Sequence, residues 1–104
     1  MLKINYEFRK GIFFLRLIGE LNKKNYLKND DIISEIIKIN KFKYIVINTN
    51  YLEKIDMTGL SYILKICNMT KETNSNIVIC DKSKMINKLF NYNIPNIESE
   101  LEVL

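Results

Sequence analysis

The sequence contains no histidine and no tryptophan, only three glycines and a single proline. Without histidine the chain has no Ser-His-Asp or Cys-His catalytic group and no His-based metal site. Its few glycines form neither common type of phosphate-binding loop. The acidic pairs Asp30/Asp31 and Glu100/Glu102 lie in polar segments, where no burial is expected to raise a carboxyl pKa for acid–base catalysis. We therefore expect no enzymatic activity and no cofactor.

Long apolar runs are also missing. None approaches the roughly 20 residues that a membrane helix needs, and the first residues alternate polar and apolar types instead of forming the apolar stretch of a signal peptide. The two cysteines, Cys67 and Cys80, lie in apolar segments without Cys-x-x-Cys spacing. We expect them to be buried, reduced thiols. These features predict a cytoplasmic protein that does not insert into membranes.

The length and charge fit a small binding module. A chain of 104 residues, 47% of them hydrophobic, suits one compact domain, which we predict to span residues 1–104. The net charge of +4 could indicate a nucleic-acid partner. The lysines are scattered, however, and no basic stripe with interleaved aromatic residues is present, so we expect no nucleic-acid binding.

Hydrophobic periodicity predicts a hairpin followed by alternating helices and strands. Residues 2–8 alternate between apolar and polar types, and a turn at Lys10–Gly11 leads into the second strand. A short polar loop is expected before the second helix. The later elements are predicted at Ile12–Ile18, Phe42–Asn48 and Ile77–Cys80 for strands, and at Asn25–Ile39, Thr58–Lys71 and 85–90 for helices. The fold class is therefore α/β, with a mixed sheet (an N-terminal hairpin plus parallel strands) covered by about three to four helices.

The segment Ile55–Leu60 (Ile-Asp-Met-Thr-Gly-Leu) carries the main functional information, because it lies where the second helix is predicted to begin. Asp56 is placed to cap that helix by accepting from the N–H of Thr58 or Gly59. Unpaired N–H groups and the helix dipole favour negative charge there, so a phosphate on Thr58 would be tolerated. Glycine costs about 1 kcal/mol inside a helix, so Gly59 suggests a close approach to the backbone. Spacing alone leaves open a purely structural cap.

The chain resembles the STAS domain, the fold of bacterial anti-sigma factor antagonists, over nearly its whole length. Ile55–Leu60 matches the family pattern Asp-Ser-Ser-Gly-Leu or Asp-Ser-Thr-Gly-Leu, and Leu17–Asn22 matches its Gly-Glu-Leu-Asp pattern. The resemblance also includes Tyr44–Asn48, Ile77–Cys80 and Met85–Phe90. It implies that Thr58 is phosphorylated by the partner, an anti-sigma factor that is also a serine/threonine kinase. The unmodified protein would bind that partner and free the sigma factor, and the phosphorylated form would not bind.

The partner is expected to dock on the exposed start of the second helix and the adjacent loops. The predicted docking residues are Asn22, Lys54, Asp56, Met57, Thr58, Gly59, Ser61, Tyr62 and Lys65. Tyr62 is alternatively a half-exposed helix residue without a binding role.

The sequence departs from the family pattern at the docking face. Met57 replaces the first serine of the pattern, Thr58 replaces the commoner serine, and Asn22 replaces the aspartate. Met57 and Asn22 are equally compatible with a STAS subunit that is never phosphorylated and that belongs to a membrane transporter or a signalling scaffold. Both functions are therefore open at this point.

Overall fold

Five strands form one mixed sheet in the order β1-β2-β3-β4-β5 in the computed structural model, which describes residues 1–26, 28, 30–90 and 94–104. The strands are β1 (Leu2–Arg9), β2 (Ile12–Leu21), β3 (Tyr44–Ile55), β4 (Asn76–Cys80) and β5 (Asn96–Ile97). The helices are α1 (Asp30–Ile39), α2 (Met57–Glu72), α3 (Met85–Phe90) and a closing 3-10 helix, Glu100–Val103. Only β1 and β2 are antiparallel, and every other neighbouring pair is parallel. The predicted α/β fold is confirmed.

The two faces of the sheet pack against different elements. Alternate side chains of β2, among them Phe13, Leu15 and Leu17, join α1 and α2 in the main core. The intervening residues Ile12 and Phe14 belong to a second, smaller core on the other face. Val103 of the 3-10 helix packs against that smaller core. The helices therefore cover one face of the sheet, and the C-terminal segment lies on the opposite face.

A charged cluster around Arg16 holds the C-terminal segment against the sheet. The Arg16 guanidinium donates to both carboxylate oxygens of Glu100, with N···O distances of 2.7 and 2.9 Å. Asn48 donates to the same carboxylate at 2.7 Å, and Glu7 accepts from Arg16 at 2.9 Å. The bond from Arg16, reinforced by Asn48, outweighs the effect of partial burial and lowers the pKa of Glu100. The cluster thus stabilises the ionised carboxylate.

We expect Glu100→Gln to lower the free energy of unfolding by about 1 kcal/mol at neutral pH, because the partly exposed ion pair loses its charge. The folded-state pKa lies below the unfolded value, so this stabilisation is present above the ordinary glutamate pKa and is lost as the pH falls. Urea denaturation at neutral and acidic pH measures both effects. Glu98→Gln, an exposed site with the same charge change, is the control. An equal loss in the two variants, or a loss that persists in acid, would contradict the expectation.

The first helix begins later than predicted. It starts at Asp30 instead of Asn25, and residues 27 and 29 of the predicted helix lie outside the described part of the chain. Asn25 accepts from the Asn22 N–H through its side chain and donates to the Glu20 carbonyl. The Asn22 side chain accepts from the Lys24 N–H. Such local bonds from asparagine side chains compete with helix formation, and they hold this segment in turns.

The second and third strands are longer than predicted. β2 continues to Leu21 and β3 to Ile55, and the two stay paired up to that end. The prediction of a polar loop after the third strand was therefore wrong. Asn48 and Thr49 are buried although polar, since Asn48 bonds Glu100 and the Thr49 hydroxyl lies 3.5 Å from the Cys80 carbonyl oxygen.

The last helix is less buried than its apolar pattern indicates. Of its apolar residues, Ile86 is buried, but Met85 and Leu89 remain 48% and 54% exposed. The Phe90 side chain lies outside the described residues. Asp81 helps to cap this helix by accepting from the Ile86 N–H, and the Ser83 hydroxyl accepts from the Met85 N–H.

Candidate functional site

Asp56 forms the N-cap of α2, as the sequence predicted. Its backbone is extended, and its carboxylate accepts from the Gly59 N–H at 2.8 Å. The second carboxylate oxygen accepts at 3.1 Å from the N–H of Lys23, a residue in the turn after β2. The bond from Gly59 is the main cause that lowers the pKa of Asp56. One carboxylate therefore joins the start of α2 to the end of β2.

Asp56 variants test this cap. We expect Asp56→Ala to lower the urea midpoint, and Asp56→Asn to lose less at neutral pH, because asparagine also caps helices well. The folded-state pKa of Asp56 is lowered, so its charge stabilises the fold above the ordinary aspartate pKa and ceases to do so as the pH falls. The gap between wild type and Asp56→Asn should therefore narrow in acid. Equal midpoints for the alanine and asparagine variants would contradict the capping role.

Gly59 is explained by the contact between α2 and β2. A Cβ atom at this position would lie 2.5 Å from the Leu21 carbonyl oxygen and 2.9 Å from the Leu21 Cγ. The Asp56 N–H donates to the same Leu21 oxygen at 3.2 Å. The close approach that the sequence suggested is therefore made by the protein's own strand. Gly59 is buried, so its assignment to the docking surface was wrong.

Thr58 is the second residue of α2 and is partly exposed. Its hydroxyl makes no hydrogen bond to any residue that the structure describes. The surrounding first turn provides backbone N–H groups and the positive end of a 16-residue helix. Such a position tolerates an added anionic group without competition from an existing side-chain partner.

The other predicted docking residues separate into exposed and buried sets. Met57 is 74% exposed, and Asn22 is partly exposed in the neighbouring turn. Four further residues are exposed, namely Lys54, Asp56, Ser61 and Lys65. Lys65 forms an ion pair with Asp30 at 2.9 Å, and Lys54 lies 3.9 Å from Glu20. The start of α2, the end of β3 and the turn after β2 thus present one polar surface with Met57 as an apolar residue on it.

Tyr62 does not belong to that surface. It is only 2% exposed, so both its predicted docking role and its alternative description as half-exposed were wrong. Its ring packs edge-on against Tyr26 in the turn region before α1. Burial and the nearby Asp30 carboxylate raise the pKa of Tyr62, so the phenol stays protonated. Its hydroxyl finds no hydrogen-bond partner of good geometry in the described part of the chain.

Sequence reasoning missed Asp30 as part of this region. Burial opposes its ionisation, but bonds from Lys65 and Ser34 outweigh that effect and lower the pKa of Asp30. The Lys65–Asp30 pair links α2 to the first residue of α1. No spacing rule connects two residues 35 positions apart, so only the packing of the helices reveals the pair.

The family model for the STAS domain matches residues 3–95. The chain belongs to the STAS domain family. This match covers both strands that frame the site, the cap at Asp56 and the whole of α2. The STAS domain is generally a regulatory module without catalytic activity.

Solved structures share the fold of this STAS domain at low sequence identity. A protein from Thermotoga maritima that is described as an anti-sigma factor antagonist superposes with a TM-score of 0.81 at 15% identity, over 96% of this chain and 90% of that one. The Bacillus cell fate determinant SpoIIAA in its phosphorylated form superposes with a TM-score of 0.78 at 19% identity, over 97% of this chain and 96% of that one. The anti-sigma factor antagonist SpoIIAA in its unphosphorylated form superposes with a TM-score of 0.79 at 17% identity, over 99% of this chain and 93% of that one.

Two further observations describe the rest of this STAS domain. Cys67 and Cys80 are both free and buried, as predicted, and burial raises the pKa of each thiol to about 11. Across the described residues, every helix falls short of the length and hydropathy that a membrane crossing requires.

Proposed function

We propose that this STAS domain is an anti-sigma factor antagonist whose binding is switched off by phosphorylation of Thr58. In the unmodified state it binds an anti-sigma factor of the serine/threonine kinase type and so frees the sigma factor. The observation that carries the proposal is the Thr58 hydroxyl, which lies partly exposed in the first turn of α2 without a hydrogen-bond partner among the described residues.

The surroundings of Thr58 support the proposal chemically. The Asp56 carboxylate already accepts a hydrogen bond from the Gly59 N–H, so the start of α2 is capped whether or not Thr58 is modified. Phosphorylation adds a charge of roughly −1.5 to −2, which the dipole of α2 favours. The fold is therefore expected to accept the phosphate without rearrangement.

The same charge would prevent docking. Met57 is 74% exposed, and it lies directly beside Thr58 in the chain. A partner that covers this apolar side chain would also cover the neighbouring hydroxyl. Burying an unpaired phosphate dianion in such an interface costs several kcal/mol, and about 1.4 kcal/mol changes affinity tenfold.

Intact-mass analysis of the protein isolated from its native cell tests the proposal. We expect a fraction of the molecules to carry one phosphate, fragmentation to place it on Thr58, and an anti-sigma factor to co-purify with the unmodified fraction only. Thr58→Ala should abolish the mass increase, whereas Ser61→Ala, an exposed hydroxyl in the same helix, should retain it. Absence of phosphate together with co-purification of a permease or a scaffold protein would favour the non-phosphorylated subunit instead.

A further inference from the structure

A groove opens where β4 separates from β3. β4 pairs with β3 only as far as Asn48, whereas β2 stays paired with β3 up to Ile55. Within the described residues, the side of β3 that faces away from β2 therefore has no strand neighbour over Tyr51–Ile55. A groove of about 1210 Å³ follows this side, and it is also lined by α3 and by the segment Glu98–Glu100.

The groove has apolar walls that the rest of the fold covers only in part. Leu52 and Ile55 line it from β3 and are partly exposed. Met85 and Leu89 line it from α3 and are about half exposed, although their spacing predicts a buried helix face. Exposed apolar side chains gathered in a concave surface are typical of a binding site.

The charges that line the groove are opposite in sign to the protein as a whole. Six carboxylates and three basic side chains line it, in a chain whose net charge is +4. One of the three basic groups, Arg16, is already held by Glu100 and Glu7. The carboxylates of Glu53 and Glu98 have no bonded partner in the described part of the chain. The groove is therefore an acidic region on a basic protein.

We propose that this groove binds a basic peptide segment of a partner protein, with apolar side chains that pack against Met85 and Leu89. The acidic lining attracts lysine or arginine and disfavours nucleotides and lipid phosphates, because like charges repel across an interface. The pairing of β3 with β2 shifts register at two places, which lie between Arg16 and Ile18 and between Gly19 and Glu20 of β2. Bulges of this kind hinder regular strand addition, so side chains and charge provide the recognition.

This binding site adjoins the Thr58 switch and shares Asn22, Lys54 and Asp56 with the surface around it. Thr58 is not among the residues that line the groove. Thr58→Glu adds a negative charge beside the groove, so it is expected to retain binding of a basic peptide, and the inference does not depend on the antagonist function proposed above.

A displayed library of random short peptides, selected on the full chain, tests the inference. We expect the enriched peptides to combine lysine or arginine with apolar residues, to bind more weakly as salt increases, and to shift NMR signals of Leu52, Ile55, Met85 and Leu89. Leu89→Lys should weaken binding about tenfold or more, since it removes an apolar contact and opposes the peptide charge. Leu101→Lys, the same change at a 77% exposed site outside the groove, should bind as wild type does.

Any one of the following outcomes would overturn the inference. They are an absence of enriched peptides, enrichment of acidic or uncharged peptides, shifts confined to residues outside the groove, and equal effects of the Leu89 and Leu101 variants. Shifts that appear with protein concentration alone would assign the groove to a second copy of the chain and would also overturn it.

Discussion

Thr58→Glu is expected to abolish binding of the anti-sigma factor while the domain remains folded. The glutamate places a charge in the first turn of α2, where the helix dipole favours it, so the free energy of unfolding should be unchanged or slightly higher. In the complex the same charge would be buried without a partner. A cost of about 3 kcal/mol corresponds to a loss of affinity of about a hundredfold or more.

Titration calorimetry with the co-purified anti-sigma factor measures this loss, and circular dichroism checks the fold. Thr58→Gln, which has nearly the same shape without the charge, should bind far more tightly than Thr58→Glu. Thr58→Ala should bind the anti-sigma factor whether or not nucleotide for phosphorylation is present. Wild-type affinity in Thr58→Glu would reject the charge mechanism, and equal weakening in the glutamine and glutamate variants would assign the effect to size instead.

Gly59→Ala is expected to destabilise the domain, although alanine is the better helix former. The new methyl group would lie 2.5 Å from the Leu21 carbonyl oxygen and 3.0 Å from the Ile55 Cγ1. The backbone of β2 cannot withdraw without breaking its bond from the Asp56 N–H. Overpacking costs about 1–3 kcal/mol, and a contact of 2.5 Å with a backbone oxygen belongs in the upper part of that range, above the gain of about 1 kcal/mol in helix propensity.

Urea denaturation should therefore show a net loss of about 1–2 kcal/mol in the free energy of unfolding for Gly59→Ala. Ser61→Ala serves as the control, because Ser61 is exposed in the same helix and its change should stay within about 0.5 kcal/mol. An alanine at position 59 that stabilises the protein would contradict the close approach to Leu21. Loss of stability in this variant and loss of binding in Thr58→Glu are separate readouts, so the two predictions do not depend on each other.

The sequence predicted the features that depend on local pattern. The first strand, the turn at Lys10–Gly11 and the cap at Asp56 follow from rules that involve neighbouring residues, and each is present, although Tyr6 and Phe8 of that strand are 45% and 54% exposed. The mixed sheet follows from the order of these elements. Gly59 stood out because glycine is unfavourable in a helix, and the structure supplies the contact that requires it.

The errors came from contacts between distant residues. The third strand was predicted to end at Asn48, but it continues through Thr49, which is buried with its hydroxyl 3.5 Å from the carbonyl oxygen of Cys80, 31 positions away. Tyr62 occupies a helix position next to exposed residues, yet the turn that carries Tyr26 covers it. Periodicity describes one helix at a time, so it does not show which second element covers a given face.

The bonds from Asp56 to the end of β2 have a consequence for protein engineering. The Asp56 N–H donates to Leu21, and its carboxylate accepts from the N–H of Lys23. The Thr58 motif and the motif around Leu21 are thus halves of one rigid unit, although 35 positions separate Leu21 from Asp56. Grafting the six residues Ile55–Leu60 into an unrelated scaffold would transfer the sequence of the motif without its geometry. Only a graft that includes both strand ends would reproduce the presentation of the hydroxyl.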